Sequence, residues 1–249
     1  MKKGIIVASF GTSYEKTRRL CIESVEEDIR QAFAPISVER AFTSRIIRHR
    51  LKKRDNLDIM TEIEAVDKLK EEGVEDIYIQ PLHIIAGHEY GKISSIDGVK
   101  LGLPLLSSDE DYKRAVEAVN SKDIDADALI LMGHGTDHEA DESYKKLEKE
   151  YRRQGYENVY VATVEGEITI EDVLKRIEDK DYKRVLIQPF MLVAGDHATN
   201  DMASDEDDSW KSILESRGYE VEVNLKGLGE YQAIRDIYID HLRDIMEEA

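Results

Sequence analysis

Residues 74–89 read VEDIYIQPLHIIAGHE, and residues 182–197 read YKRVLIQPFMLVAGDH. The two stretches share an Ile-Gln-Pro triplet and an Ala-Gly pair at a constant offset of 108 residues. A second pair of apolar runs, IIVASFGTS from Ile5 and LILMGHGTD from Leu129, ends in small-residue turns and follows the same order. Two pairs of similar segments that occur in the same order along the chain are typical of a duplicated structural unit. The sequence therefore predicts a chain built from two similar halves.

Each half alternates short apolar runs with segments of helical apolar spacing, which is typical of parallel strands buried on both faces and joined by helices. We predict two pseudo-symmetric α/β domains with parallel sheets flanked by helices, residues 1–124 and 125–249. We expect two such domains to leave a cleft between them. Ligands of open α/β sheets bind beyond the carboxyl ends of the strands, where the small-residue turns lie. The predicted strands are Gly4–Phe10, Ser37–Thr43, Asp76–Gln80, Ala128–Gly133, Asn158–Val164, Arg184–Gln188 and Tyr219–Asn224. The predicted helices are Tyr14–Phe33, Ile59–Glu72, Glu139–Gln154, Ile170–Asp179 and Tyr231–Glu248.

The composition limits the possible functions. The chain has 249 residues, of which 41% are apolar, and one cysteine, which excludes an internal disulfide and a Cys-rich metal centre. A net charge of -18 argues against general nucleic-acid binding, because phosphates need clustered Lys and Arg. No apolar run approaches the roughly 18 residues of a membrane helix, and the first is shorter than a signal-peptide core. We expect a cytoplasmic protein with no nucleic-acid or membrane partner.

The charge is unevenly distributed along the chain. Residues 1–124 carry a net charge of -2, and residues 125–249 carry -16. An anionic ligand would therefore be drawn to the first half, where the basic residues are densest. A solvated helix face is the alternative explanation of this basic stretch. It contains Arg45, Arg48, Arg50, Lys52, Lys53 and Arg54.

Histidines mark the ends of predicted strands in both halves. His134 lies between two glycines directly after a strand, and His197 follows the Ala-Gly pair of the second repeat. The counterpart of His197 in the first repeat is Glu89, so pseudo-symmetry predicts that Glu89 and His197 face one another across the cleft. Two imidazoles and a carboxylate are ligands for Co, Fe, Ni or Zn, and they leave coordination positions open. The alternative is that these are polar loop residues without a ligand.

Two acidic features near His197 have open interpretations. Asp196 either orients the neighbouring imidazole or caps a helix that begins near Ser204. The run Asp205–Asp208 is typical of the acidic first turn of a helix, where negative charge interacts favourably with the helix dipole, and a metal reservoir is the alternative.

His83, beyond another strand end, either assists the site or is a loop histidine.

Four segments resemble the anaerobic cobalt chelatases, the CbiK family of class II tetrapyrrole chelatases. They are the Phe-Gly-Thr-Ser of residues 10–13, the Phe-Thr-Ser of residues 42–44, the Gly-His-Gly-Thr of residues 133–136, and VAGDHATNDM at residues 193–202. The resemblance covers essentially the whole chain. It implies two chelatase-type α/β domains, with the C-terminal helix (about residues 231–248) packed on the first domain. It also implies insertion of Co2+, the substrate metal, into sirohydrochlorin in anaerobic cobalamin synthesis, without an organic cofactor.

The resemblance also assigns residues. By motif position, the metal-binding histidines of the family fall on His134 and His197, and its active-site glutamate falls on Glu89. These three are our predicted catalytic and metal-binding residues. Sirohydrochlorin carries eight carboxylates, so we predict contacts from the basic stretch and from the small-residue turns. The predicted substrate-binding residues are Ser9, Phe10, Thr12, Ser13, Arg45, Arg48 and His83.

Other functions remain open at this point. A related chelatase could insert Fe2+ or Ni2+, and two lobes around a cleft also describe a binding protein for a metal or small molecule that catalyses nothing. A metal-dependent hydrolase would use a similar ligand set but would keep its metal through turnover. The expected partners are sirohydrochlorin and a divalent metal, and a homo-oligomer is possible.

Overall fold

The computed structural model describes residues 2–119 and 125–247. Contacts group the chain into two compact units. Unit 1 comprises Met1–Asp111 and Gly229–Ala249, and unit 2 comprises Tyr112–Leu228. The predicted boundary between residues 124 and 125 adjoins residues 120–124, which lie outside the described residues, so that boundary stays a prediction. The contacts place the start of unit 2 earlier, and they place the C-terminal segment in unit 1.

Unit 1 contains a four-stranded parallel sheet with the order β2-β1-β3-β4. Because β1 and β3 are neighbours and the chain leaves them in opposite directions, their carboxyl ends form the topological switch point of the sheet. The strands are β1 (Lys3–Ser9), β2 (Ser37–Phe42), β3 (Asp76–Pro81) and β4 (Lys100–Leu101). The helices are α1 (Glu15–Thr17), α2 (Ser24–Ala32), α3 (Arg45–Asp55), α4 (Glu62–Glu71) and α5 (His88–Ser94), with a π-helical segment at Arg18–Glu23. The next helix, α6 (Asp109–Val119), begins in unit 1 and continues into unit 2.

Unit 2 repeats this topology in a second parallel sheet, with the order β6-β5-β7-β8. Its strands are β5 (Ala128–Gly133), β6 (Val159–Thr163), β7 (Arg184–Pro189) and β8 (Glu220–Val223). Its helices are α7 (Glu142–Arg153), α8 (Ile170–Ile177) and α9 (Trp210–Ser216), with a π-helical turn at Ala198–Met202. The C-terminal α10 (Gln232–Glu247) belongs to unit 1. The identical strand orders confirm the predicted pair of parallel α/β sheets.

The predicted strands form because their apolar residues are buried on both faces of each sheet. All six residues of β5 are buried. The core of unit 2 joins alternate residues of β5 and β7 to α8, whose buried residues are Ile170, Val173, Leu174 and Ile177. In unit 1, alternate residues of β1 and β3 pack in one cluster with Ala65, Val66 and Leu69 of α4. In the described part of the chain, every helix is too short or too polar to cross a bilayer.

Two predictions about the segment after β7 are wrong. The helix expected near Ser204 begins only at Trp210, because the Ser209 hydroxyl accepts a hydrogen bond from the Ser212 amide and caps the helix there. Asp205–Asp208 therefore precede this helix rather than forming its first turn. Asp205 instead pairs with Lys211.

Unit 1 contains a buried polar contact between His241 and Asp111 that joins α10 to the start of α6. The His241 ring nitrogens lie 3.2 Å from the Leu103 carbonyl oxygen and 3.0 Å from an Asp111 carboxylate oxygen. Asp111 also accepts hydrogen bonds from the Ser108 amide and hydroxyl. Burial alone would raise the pKa of Asp111, but His241 and Ser108 together lower it below the ordinary value.

This buried carboxylate predicts an effect on stability. Because Asp111→Asn removes the charge that accepts hydrogen bonds from Ser108 and faces His241, we expect the free energy of unfolding to fall by about 2 kcal/mol near neutral pH. A lowered folded-state pKa stabilises the fold above the unfolded-state value of about 3.9 and loses that contribution as the pH falls through the folded-state pKa. Urea unfolding followed by circular dichroism should show the two proteins converging below about pH 4. Equal midpoints at pH 7 would contradict the prediction.

Candidate metal centre

His134, Glu165 and His197 form a cluster of possible metal ligands at the carboxyl end of the unit 2 sheet. One ligand atom from each residue lies within 4.8 Å of the others. The three residues follow β5, β6 and β7, which are adjacent strands, so the topology itself brings them together. The two imidazole rings meet edge to face, with centroids 4.8 Å apart. The structure therefore brings the two predicted histidines together and adds a glutamate that the sequence reasoning missed.

Backbone contacts fix the His134 turn beside Glu165. The Glu165 amide donates to the His134 carbonyl oxygen over 2.8 Å. Gly135 has a φ of +79°, and a side chain there would lie 2.3 Å from the Gly166 nitrogen, so only glycine allows the two loops to approach. Asp141 connects the same loops, because one carboxylate oxygen accepts from the Thr136 amide and the other from the Glu167 amide.

The hydroxyl of Tyr144 lies beneath the same turn. Burial raises the pKa of Tyr144 to about 12, although hydrogen bonding to the backbone of Gly135 and His134 acts in the opposite direction. A phenol with this pKa remains neutral across the physiological range. Tyr144 therefore supports the His134 turn by packing and hydrogen bonding and adds no charge to the metal centre.

In both histidines, one ring nitrogen faces a hydrogen-bond acceptor and the other is available to a metal. Nδ1 of His134 lies 2.9 Å from the Gly135 carbonyl oxygen, and Nδ1 of His197 lies 2.5 Å from Oδ2 of Asp201. Both Nδ1 atoms face acceptors, so a neutral ring keeps its proton there and leaves the lone pair of Nε2 for a metal. Asp201 thus orients His197. Asp196, for which orienting this imidazole is one of two interpretations of the sequence, accepts a hydrogen bond from Asn200.

The residues present fit a divalent cation. Tetrahedral ligands at about 2.1 Å from a metal are roughly 3.4 Å apart, so the three side chains must close by somewhat more than 1 Å to bind one. His134 and Glu165 are exposed and His197 is partly buried, which leaves their side chains free to adjust. One carboxylate and two neutral imidazoles compensate only part of a 2+ charge. Such a centre suits a metal that must leave again.

We expect the second-sphere carboxylate to matter for metal affinity. Asp201→Asn removes the negative acceptor behind His197 and should weaken Co2+ binding by about 10- to 100-fold. Asp196→Asn is the matched control, because it makes the same chemical change at the residue directly before His197 in the sequence. A Co2+ titration of both variants by calorimetry tests this. Equal affinities for the two variants would show that Asp201 does not orient the ligand.

Glu89 lies in unit 1, in the first turn of α5. Its carboxylate accepts a hydrogen bond from the Thr43 hydroxyl over 2.8 Å and pairs with Lys92. Burial would raise the pKa of Glu89, but the hydrogen bonds from Lys92 and Thr43 outweigh it and lower the pKa below the ordinary value. Glu89 is therefore ionised at neutral pH. Its prediction as a catalytic residue and metal ligand, and its predicted position opposite His197, stay predictions.

His83 lies just beyond β3. Both of its ring nitrogens are buried and have no hydrogen-bond partner among residues 2–119 and 125–247. Burial lowers the pKa of His83 to about 4, against the opposing effect of the Glu89 carboxylate. The ring is therefore neutral at physiological pH. Whether His83 contacts the substrate stays a prediction.

The other predicted substrate-binding residues surround the carboxyl ends of β1 and β2. Phe10 is 49% exposed, and its carbonyl oxygen accepts from the Ser44 amide. The hydroxyls of Thr12 and Ser13 accept from the Tyr14 amide and from Arg50, and the buried Ser9 hydroxyl has no partner in the described part of the chain. Arg45 is exposed at the start of α3, and Arg48 lies 3.8 Å from Glu64.

Two solved structures share the fold of this chain. SirB from Bacillus subtilis with Fe3+ aligns with a TM-score of 0.67 at 14% identity, over 98% of this chain and 96% of its own. CbiX, described as the terminal enzyme of siroheme biosynthesis in denitrifying bacteria, aligns with a TM-score of 0.58 at 13% identity, over 97% and 98% of the two chains. At these identities the likeness concerns the fold alone.

Sequence comparison defines the family. The family model described as "Cobalt chelatase (CbiK)" matches residues 3–247. The sirohydrochlorin cobaltochelatase of Salmonella typhimurium is 37% identical over 100% of this chain and 98% of its own length. Sirohydrochlorin cobaltochelatase CbiKC of Nitratidesulfovibrio vulgaris is 35% identical over 97% of this chain and 89% of its own. The chain belongs to the CbiK cobalt chelatase family, as the resemblance of its motifs predicted.

Proposed function

We propose that this protein inserts Co2+ into sirohydrochlorin, the reaction for which its full-length relatives are named. The observation that carries the proposal is the His134, Glu165 and His197 cluster in a chain of the cobalt chelatase family. The product, cobalt-sirohydrochlorin, belongs to anaerobic cobalamin synthesis. Co2+ is a substrate here, and the reaction needs no organic cofactor.

The chemistry follows from the donor set. Nε2 of His134, Nε2 of His197 and a Glu165 oxygen bind Co2+ as it loses part of its water shell. The ring nitrogens of the tetrapyrrole then replace these donors, and two pyrrole protons are released for each Co2+ inserted. The dianionic macrocycle outcompetes neutral imidazoles because it compensates the full metal charge. As the metal leaves, the freed imidazole nitrogens are available as proton acceptors.

Asp201 and Glu89 complete the assignment. Asp201 keeps the Nδ1 proton of His197 in place, so Nε2 faces the metal throughout. Thr43 and Lys92 keep Glu89 in its carboxylate form. Its negative charge stabilises a nearby cation or the positive charge that develops as a proton leaves a pyrrole nitrogen. We assign Glu89 a catalytic role on that basis.

The test is an absorbance assay with purified protein, sirohydrochlorin and Co2+, run in parallel with Ni2+ and Fe2+. We expect the tetrapyrrole spectrum to change at a protein-dependent rate, fastest with Co2+. Metal that remains bound to the protein through the assay, with no spectral change, would favour a carrier or hydrolase over a chelatase. Those two functions are not favoured, because the full-length relatives are cobaltochelatases. A cytoplasmic location, homo-oligomerisation and the absence of nucleic-acid or membrane partners stay predictions.

A further inference from the structure

One face of α3 lines an open surface cavity of about 590 Å3, which we call the α3 groove. All five lining residues are exposed, and their spacing of one, three, one and three residues places them on the same side of the helix. With a rise of 1.5 Å per residue, the groove extends for about 12 Å along α3. The lining residues are Arg45, Ile46, His49, Arg50 and Lys53.

The cations of α3 divide into two sets of three. One set is neutralised inside unit 1: Arg48 lies 3.8 Å from Glu64, Lys52 lies 2.7 Å from Asp58, and Arg54 lies 2.6 Å from Asp55. The other set has no carboxylate partner anywhere in residues 2–119 and 125–247, and it consists of the three cations that line the groove, Arg45, Arg50 and Lys53. The groove thus holds the uncompensated positive charge of a helix in a protein of net charge -18.

The position of the α3 groove and the polarity of its lining indicate the chemistry of its ligand. Ile46 is 72% exposed among these cations, so the groove offers apolar contact beside positive charge. The groove begins at Arg45, two residues after Thr43, whose hydroxyl contacts Glu89. A flat apolar ring with carboxylates around its rim matches this combination, because the ring covers the isoleucine while the carboxylates reach the cations.

We propose that the α3 groove binds the carboxylate side chains of the tetrapyrrole, with Arg45, Arg50 and Lys53 as their partners. This inference rests on the proposed function, and it concerns substrate recognition rather than metal transfer. A single exposed ion pair contributes little, but three cations that face one polyanion act together and select for the number of carboxylates. The groove would therefore discriminate sirohydrochlorin from tetrapyrroles with only two carboxylates.

Lys53→Glu and Lys52→Glu form a matched pair for the test. Both variants have the same composition, the same net charge and adjacent positions on α3, so long-range electrostatic effects are nearly equal. Only Lys53 lines the groove. The binding of sirohydrochlorin to metal-free protein is titrated by absorbance, and the KM and kcat for Co2+ insertion are measured separately.

We expect Lys53→Glu to raise the Kd and KM for sirohydrochlorin about tenfold at low salt, with kcat unchanged. The ratio of the variant's Kd to the wild-type Kd should fall toward one at 0.5 M salt, because salt screens exposed charges. Lys52→Glu should change both constants by less than about twofold. Equal effects of the two variants would overturn the groove assignment even if the wild-type protein inserts cobalt. A wild-type protein that binds the tetrapyrrole in a Lys53-dependent way without inserting Co2+ would support the groove and refute the proposed function.

Discussion

His134→Ala is expected to reduce the rate of Co2+ insertion into sirohydrochlorin by at least about 100-fold. The substitution removes one of the two imidazoles of the metal centre and leaves no side chain that could replace it. Glu165 and His197 would then face the metal alone, and two ligands hold a divalent cation far more weakly than three. The measurement is the initial rate of spectral change at saturating sirohydrochlorin, over a range of Co2+ concentrations.

Loss of fold is the competing explanation for such a result, and it can be tested directly. His134 is exposed, so its truncation should leave the far-ultraviolet circular dichroism spectrum and the unfolding midpoint within error of wild type. His138→Ala is a suitable control because His138 lies four residues further along the same connection and is outside the ligand cluster. A His134→Ala protein that is folded and fully active would remove this residue from the mechanism.

The architecture could be predicted because the central strands β1, β3, β5 and β7 carry runs of buried apolar residues. The predicted bounds of β5 are those that the structure shows, and the other six predicted strands differ from the observed ones by one residue at one or both ends. The two-residue β4 was not predicted. Helices with few apolar residues escaped detection, and α3 is the clearest example. It buries only Leu51, so its sequence has no apolar period to recognise, and its N-terminus is fixed by the Ser44 cap.

The metal centre could be predicted only in part. His134 and His197 lie within motifs that the two halves share in position, which is why the sequence revealed them. Glu165 follows β6 in a turn without a counterpart in the repeat, and its relation to His134 depends on the pairing of β6 with β5. Asp196 is adjacent to His197 in the sequence, whereas Asp201 is four residues further on. Asp201 reaches the ring because a helical turn brings residues four apart together, and that turn had not been predicted.

Substitution of the two glutamates, Glu165 and Glu89, should affect different kinetic and binding constants. Glu165→Gln removes a charged ligand from the unit 2 cluster, so we expect Co2+ affinity to fall by about 100-fold, with a matching rise in the KM for Co2+. Glu89→Gln keeps an oxygen that can accept from Thr43 but removes the charge. We expect it to lower kcat by about 100-fold and to leave Co2+ affinity within about twofold.

The pH dependence provides an independent check of the Glu89 assignment. Because the pKa of Glu89 is lowered, its carboxylate stays charged well below neutral pH, so the ratio of wild-type to Glu89→Gln activity should be constant from pH 6 to 9. A Glu89→Gln protein with weakened Co2+ binding would make Glu89 a metal ligand rather than a charge that acts on the protons. Unchanged Co2+ affinity in Glu165→Gln would contradict the assignment of Glu165, since its side chain then contributes nothing to the centre that His134 and His197 form.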